Sequence, residues 1–84
     1  MGAPVTEYAA RFAVGDQVRI AERATLQRFE RPGWKYHHPL KANQLPLAGT
    51  RAIVVSVGYY HGGDVLYRLD GLPGEWHEAT LREM

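Results

Sequence analysis

Apolar and polar positions alternate with period two along Phe12-Ala13-Val14-Gly15-Asp16-Gln17-Val18-Arg19-Ile20. Val18 and Ile20 share one face and Gln17 and Arg19 the other, the mark of a half-buried strand. Gly15-Asp16 supplies the turn into it. A stronger strand signal runs from Thr50 to Tyr60, where Ile53, Val54, Val55 and Val57 are β-branched and Tyr59 and Tyr60 aromatic. Period two places Ile53, Val55, Val57 and Tyr59 on its buried face. Gly58 predicts a bend or bulge. His61-Gly62-Gly63-Asp64 is a tight turn, and Val65 to Asp70 returns as the second arm of a hairpin. Val65, Tyr67 and Leu69 point inward there, and Leu66, Arg68 and Asp70 outward. Gly71-Leu72-Pro73-Gly74 makes another turn. Glu75-Trp76-His77-Glu78 then reads as a short strand with Trp76 packed inside. Ala79 to Glu83 reads as a single 3₁₀ turn leading to a last short strand.

The middle of the chain is different. Ala21, Glu22, Arg23, Ala24, Leu26 and Gln27 are fair helix formers, and Leu26 and Phe29 are spaced to meet on a helical turn. No apolar stripe extends over three turns, so Ala21 to Arg31 is expected to be a loop with at most one turn. Arg31-Pro32-Gly33 punctuates sharply. The stretch from Gly33 to Gly49 fits neither period. A loop that long in so short a domain is functional or disordered, and its aromatic residues argue for order. The sum is an all-β chain: a small SH3-like barrel of about five short strands with one long loop after the first strand. Residues 1–11 read as a flexible N-terminal tail, because Gly2, Ala3 and Pro4 discourage regular structure. Residues 12–84 form the barrel domain.

Composition narrows the function. The 84 residues suffice for one domain, which buries roughly 60–65% of its unfolded surface. The absence of cysteine excludes disulfides, thiol catalysis and any thiolate-held zinc or iron–sulfur cluster on this chain. It also fits a reducing compartment. No apolar run approaches the roughly 20 residues of a membrane span, and Met1 to Ala10 lacks the features of a signal peptide. The expectation is a soluble cytoplasmic protein. Net charge is +1, too low for the whole molecule to be a strong polyanion binder. The charge is uneven, however. Arg19, Arg23, Arg28, Arg31, Lys35 and Lys41 face only Glu22 and Glu30, whereas acids outnumber bases from Asp64 onward.

Candidate chemistry is sparse. His37 and His38 are adjacent and point to opposite sides of an extended segment. His61 lies in a turn and His77 between Glu75 and Glu78, so metal-ligand spacing is lacking. All four histidines are expected at the surface or an interface. Ser56 sits mid-strand opposite the core face, and Glu75 and Glu78 read as a solvated edge, so catalysis is not expected. Two binding readings remain. Nucleic acid would use the basic aromatic loop 19–41, through Arg23, Arg28, Arg31, Lys35 and Lys41 with bases stacked on Phe29, Trp34 and Tyr36. A protein partner would use Trp34, Tyr36 and Arg31, the residue types that anchor interfaces. Alternatively, Trp34 and Tyr36 fold back and cap the barrel.

Gly15-Asp16-x-Val18-Arg19, then Tyr36-His37-His38-Pro39 followed three residues later by Asn43-Gln44, then Leu47-x-Gly49 and a valine-rich strand, form an ordered series. With Ala79-x-Leu81-Arg82-Glu83 near the end, this series resembles the variable (alpha) subunit of ferredoxin–thioredoxin reductase. The barrel opening alone is shared with the beta subunit of nitrile hydratase and a small photosystem I accessory subunit. The resemblance implies a non-catalytic accessory subunit with an SH3-like barrel and no cofactor of its own. Its partner would be a catalytic subunit with a four-iron four-sulfur cluster and a redox-active disulfide, taking electrons from ferredoxin and reducing thioredoxin. Ferredoxin and thioredoxin would thus be met indirectly. Trp34, Tyr36, His37, His38, Asn43 and Gln44 are the candidate partner-binding residues.

Overall fold

The computed structural model describes residues 10–30, 39–60 and 64–84. Its order is β1 (Gln17–Ile20), α1 (Arg23–Arg28), a 3₁₀ helix (Ala42–Leu47), β2 (Arg51–Tyr60), β3 (Asp64–Leu69), β4 (Trp76–His77), a 3₁₀ turn (Glu78–Thr80) and β5 (Leu81–Glu83). The five strands form one antiparallel sheet in the order β4-β3-β2-β1-β5. β2 is the spine. Its first residues, Arg51 to Ile53, pair with β1, and the rest, from Val54 on, pair with β3. No helix among the described residues is long and apolar enough to cross a membrane.

The Gly-Asp turn forms as expected. Asp16 Oδ2 accepts the Ala13 N–H at 2.9 Å, and the Asp16 N–H donates to the Ala13 carbonyl at 2.9 Å. The turn is then pinned to β2, because Gly15 N–H donates to the Val54 carbonyl and Val54 N–H to the Asp16 carbonyl. Alternation in β1 holds too: Val18 and Ile20 are buried, and Gln17 and Arg19 exposed.

The buried face of β2 departs from simple alternation. Val54 is fully buried, whereas Val55 is 47% and Tyr59 51% exposed. The register slips between Val54 and Ser56, so Val55 is the extra residue of a bulge. Ahead of the bulge Ala52 and Val54 face the core; beyond it Val57 does, opposite Tyr67. Strict period two therefore misplaces Ile53 and Val55, because one inserted residue reverses which side chains point inward; Tyr59, expected in the core beside Val57, is exposed near the end of β2. The bulge also is not at Gly58, which stays paired with Leu66. Gly58 has another purpose: a Cβ there would stand 2.9 Å from Cε2 of Tyr60. The missing side chain makes room for that ring.

β3 places Val65, Tyr67 and Leu69 in the core as expected, and Trp76 opposite Tyr67 is fully buried. Simple alternation places Leu66 outward, yet it is only 1% exposed. Leu66 and its cross-strand partner His77 are both buried, so this part of the sheet is covered on both faces. The closing 3₁₀ turn and β5 fall where the sequence places them.

Two segments between β1 and β2 are more regular than expected. Arg23 to Arg28 form a helix of six residues, longer than a single turn, with Leu26 fully buried and Phe29 6% exposed at its end. Two buried anchors suffice when the core, and not a long apolar stripe, holds the helix. The long connection contains the 3₁₀ helix, with Pro46 inside it. At the other end, Ala10 packs on the core and Arg11 N–H donates to Glu78 Oε2 at 2.8 Å.

Candidate functional site

The described part of the long connection, from Pro39 to Ala48, builds one wall of a groove of about 390 Å³. Pro39, Leu40, Lys41 and Gln44 line this wall, and Arg68, Gly74 and Glu75 line the other. Leu40 and Leu45 are the buried anchors of the segment. Leu40 N–H also donates to the Phe29 carbonyl at 2.7 Å, tying the segment to the end of α1. Pro39, Lys41, Ala42, Asn43 and Pro46 remain exposed.

Gln44 is the pin of this wall. Its N–H donates to the Lys41 carbonyl at 2.9 Å and its Oε1 accepts the Lys41 N–H at 2.9 Å, a reciprocal cap on the 3₁₀ helix. Nε2 donates to the carbonyls of Glu75 at 3.0 Å and Pro73 at 3.4 Å. The amide thus satisfies one donor and two acceptors belonging to the chain itself. Gly74 permits this approach. It has φ +72°, and a Cβ on it would sit 2.9 Å from Gln44 Nε2.

The opposite wall carries Glu75, which accepts a 2.6 Å hydrogen bond from the Tyr60 hydroxyl. That bond, helped by burial, raises the Tyr60 pKa above the ordinary phenol value. A second pair of the same kind joins Tyr67 and Glu78 at 2.6 Å. The two carboxylates therefore accept hydrogen bonds from tyrosines, where the sequence suggested a solvated edge. His77 likewise is not at the surface. It is 2% exposed, and its ring stacks on Phe29 with centroids 5.2 Å apart.

Asn43 and Gln44, adjacent in sequence, have opposite fates. Asn43 is exposed on the outer side of the 3₁₀ helix, while Gln44 is 2% exposed and holds the groove together. Gln44 thus supports a contact surface from behind. Lys41 is exposed at the groove. Arg23 and Arg28 are exposed on α1, with Glu22 between α1 and Arg82. The Glu22 carboxyl is held below its usual pKa by hydrogen bonds from its own backbone and Thr25, with smaller help from Arg82 and Arg28. Trp34, Tyr36, His37, His38, Arg31 and Lys35 lie outside the described residues.

No family model matches this chain, and no curated protein and no solved structure matches it.

The groove residues missed by sequence reasoning are Arg68, Gly74, Glu75, Pro39 and Leu40. Gly74 carried a turn signal but not its reason, the amide of Gln44 far away in sequence. The Tyr60–Glu75 pair spans 15 residues and has no local signature. Among the described residues, no cluster of three or more His, Asp or Glu is placed to hold a metal ion.

Proposed function

We propose that this protein is a non-catalytic binding subunit in which an SH3-like barrel presents the long connection between β1 and β2 to a protein partner. The observation that carries this reading is the groove beside that connection. Its wall is rigidly pinned by the buried Gln44, while Asn43 and Lys41 project outward. A preorganised exposed segment loses little freedom on docking, so more of its contact energy appears as affinity.

The barrel reading is supported by chain connectivity. β4 and β5 are opposite edges of the sheet order. In a flat sheet four strand spacings would separate them by roughly 19 Å. Yet only the turn Glu78–Thr80 joins His77 to Leu81, a reach of about 14 Å even fully extended. So short a connection between the two edges supports a sheet curled toward a barrel.

The partner implied by the resemblance is a catalytic subunit of the ferredoxin–thioredoxin reductase type, bearing the iron–sulfur cluster. Affinity purification of the tagged protein from its native cell extract tests this. The expected result is a co-purifying iron–sulfur protein, lost in Trp34→Ala/Tyr36→Ala and weakened in Lys41→Ala/Asn43→Ala while both variants keep the circular dichroism of the parent. Nucleic acid that leaves with nuclease or moderate salt would replace this reading with the basic-loop one. Unfolding of Trp34→Ala/Tyr36→Ala would assign those two residues to a barrel cap.

A further inference from the structure

The pairing registers set three arginines in one row. Arg19 of β1 lies directly opposite Arg51 of β2 on one side and Arg82 of β5 on the other. Directly opposed residues in antiparallel strands point to the same face. That face is the outer one, since Val18 and Ile20 occupy the inner. Adjacent strands stand about 4.8 Å apart, so the row spans roughly 10 Å.

Like charges directly opposite each other destabilise a sheet. Arg19 and Arg51 are both exposed and have no acidic partner among the described residues. Arg82 is only partly engaged: it lies 3.8 Å from Glu22 and donates to the Ala79 carbonyl at 3.0 Å. Shallow grooves flank the row, one lined by Arg19, Glu22, Gly49 and Arg82, the other by Gln17, Arg51 and Ile53. Beside the arginines, Ile53 is half-buried and Val55 exposed on the same side of β2, ahead of and at the bulge.

We infer that this face docks an acidic segment of another protein, one carrying carboxylates about one helical turn apart with apolar residues between them. Carboxylates at i and i+4 on a helix are separated by about 5–6 Å, close to the spacing of the row. Guanidinium forks pair bidentately with carboxylates, and Ile53 and Val55 supply the apolar contact that a protein interface adds. A nucleic acid fits less well. Among the described residues no aromatic side chain stands beside the row for base stacking, and the apolar surface of Ile53 and Val55 suits a protein side chain better than a phosphate backbone. The tyrosines of β2 lie at its far end, beyond the bulge. None of these residues lines the groove at Lys41 and Gln44, so the inference stands or falls separately from the proposed docking of the long connection.

Fluorescence anisotropy with the full chain tests it. The probes are a labelled helix-forming peptide of glutamate and leucine, and labelled single- and double-stranded oligonucleotides of mixed sequence. The peptide is expected to bind wild type more tightly than either oligonucleotide. It should lose about tenfold or more in affinity for Arg19→Ala/Arg51→Ala, with Arg23→Ala/Arg28→Ala unchanged. The row variant relieves opposed like charges, so it is expected to fold, as checked by circular dichroism. Arg19→Lys/Arg51→Lys keeps the charge without the fork and should bind in between. Equal peptide affinity for wild type and the row variant, or no peptide binding by wild type, would overturn the inference. Tighter oligonucleotide binding that is lost in the row variant would assign the face to phosphates instead.

Discussion

The hydroxyl of Tyr67 donates to Glu78 Oε2 at 2.6 Å, and both residues also hold the start of the ordered chain. Tyr67 Oη accepts the Phe12 N–H at 3.2 Å, and the same Glu78 oxygen accepts the Arg11 N–H at 2.8 Å. The Phe12 ring meets the Tyr67 ring edge-on, with centroids 5.5 Å apart. One tyrosine on β3 thus fastens the entry to β1 and the turn before β5.

Tyr67→Phe keeps the ring and removes the fastening. The buried Phe12 N–H and the Glu78 carboxylate each lose a partner, so a loss of about 1–3 kcal/mol is expected. Urea denaturation measures it. A change below a few tenths would mean that water or a neighbouring group replaces the hydroxyl.

The same hydroxyl predicts an alkaline limit. Burial first, and then the bond to Glu78, push the Tyr67 pKa up to about 12. A phenol in the unfolded chain titrates near 10. The folded state therefore favours the neutral form. Its contribution is complete below about pH 10 and is lost as pH rises through the folded value. Urea midpoints of wild type should fall faster than those of Tyr67→Phe across this window. Parallel curves would show that another group sets the alkaline limit.

Gly74 and Gln44 should be energetically coupled. Gly74→Ala brings both positive-φ strain and a Cβ 2.9 Å from the Gln44 amide, and is expected to cost more than about 1 kcal/mol. Gln44→Ala loses the helix cap and the carbonyl partners, again about 1–3 kcal/mol. In the double variant the clash has gone, so the combined loss should fall short of the sum by about 0.5 kcal/mol or more. Strict additivity would argue that the two do not touch in solution.

Val54 and Val55 test the bulge. Val54→Ala opens a cavity in the core and should cost about 2 kcal/mol. Val55→Ala, on the exposed side, should change stability by no more than about 0.5 kcal/mol. Reversed magnitudes would restore the simple alternation.

The five strands of the described residues were legible in the chain, because each carries its own signal: period two in Gln17–Ile20, β-branched density in Arg51–Tyr60, and turn glycines flanking the rest. The core list was legible wherever alternation was unbroken, as at Val18, Ile20, Val65, Tyr67 and Leu69. It failed at Val54 and Val55, since a bulge is a property of two paired strands and leaves no mark on one. It failed at Leu66 and His77, since alternation assumes one wet face and here both are covered. Of the candidate contact residues within the described chain, Arg23, Arg28, Lys41 and Asn43 are exposed. Gln44 is not, and the sequence offers no reason to separate two adjacent amides.

The sequence by itself determined where the described strands occur, that no disulfide or thiolate site exists on the chain, and that basic charge clusters before the central strand. Only the tertiary structure decided which tyrosine meets which glutamate, that Gln44 props the groove from behind, and that Arg19, Arg51 and Arg82 line up across three strands. Local signals depend on neighbours within a few residues. Hydrogen bonds, bulges and charge rows depend on register between segments tens of residues apart, and register is set only when the whole sheet packs.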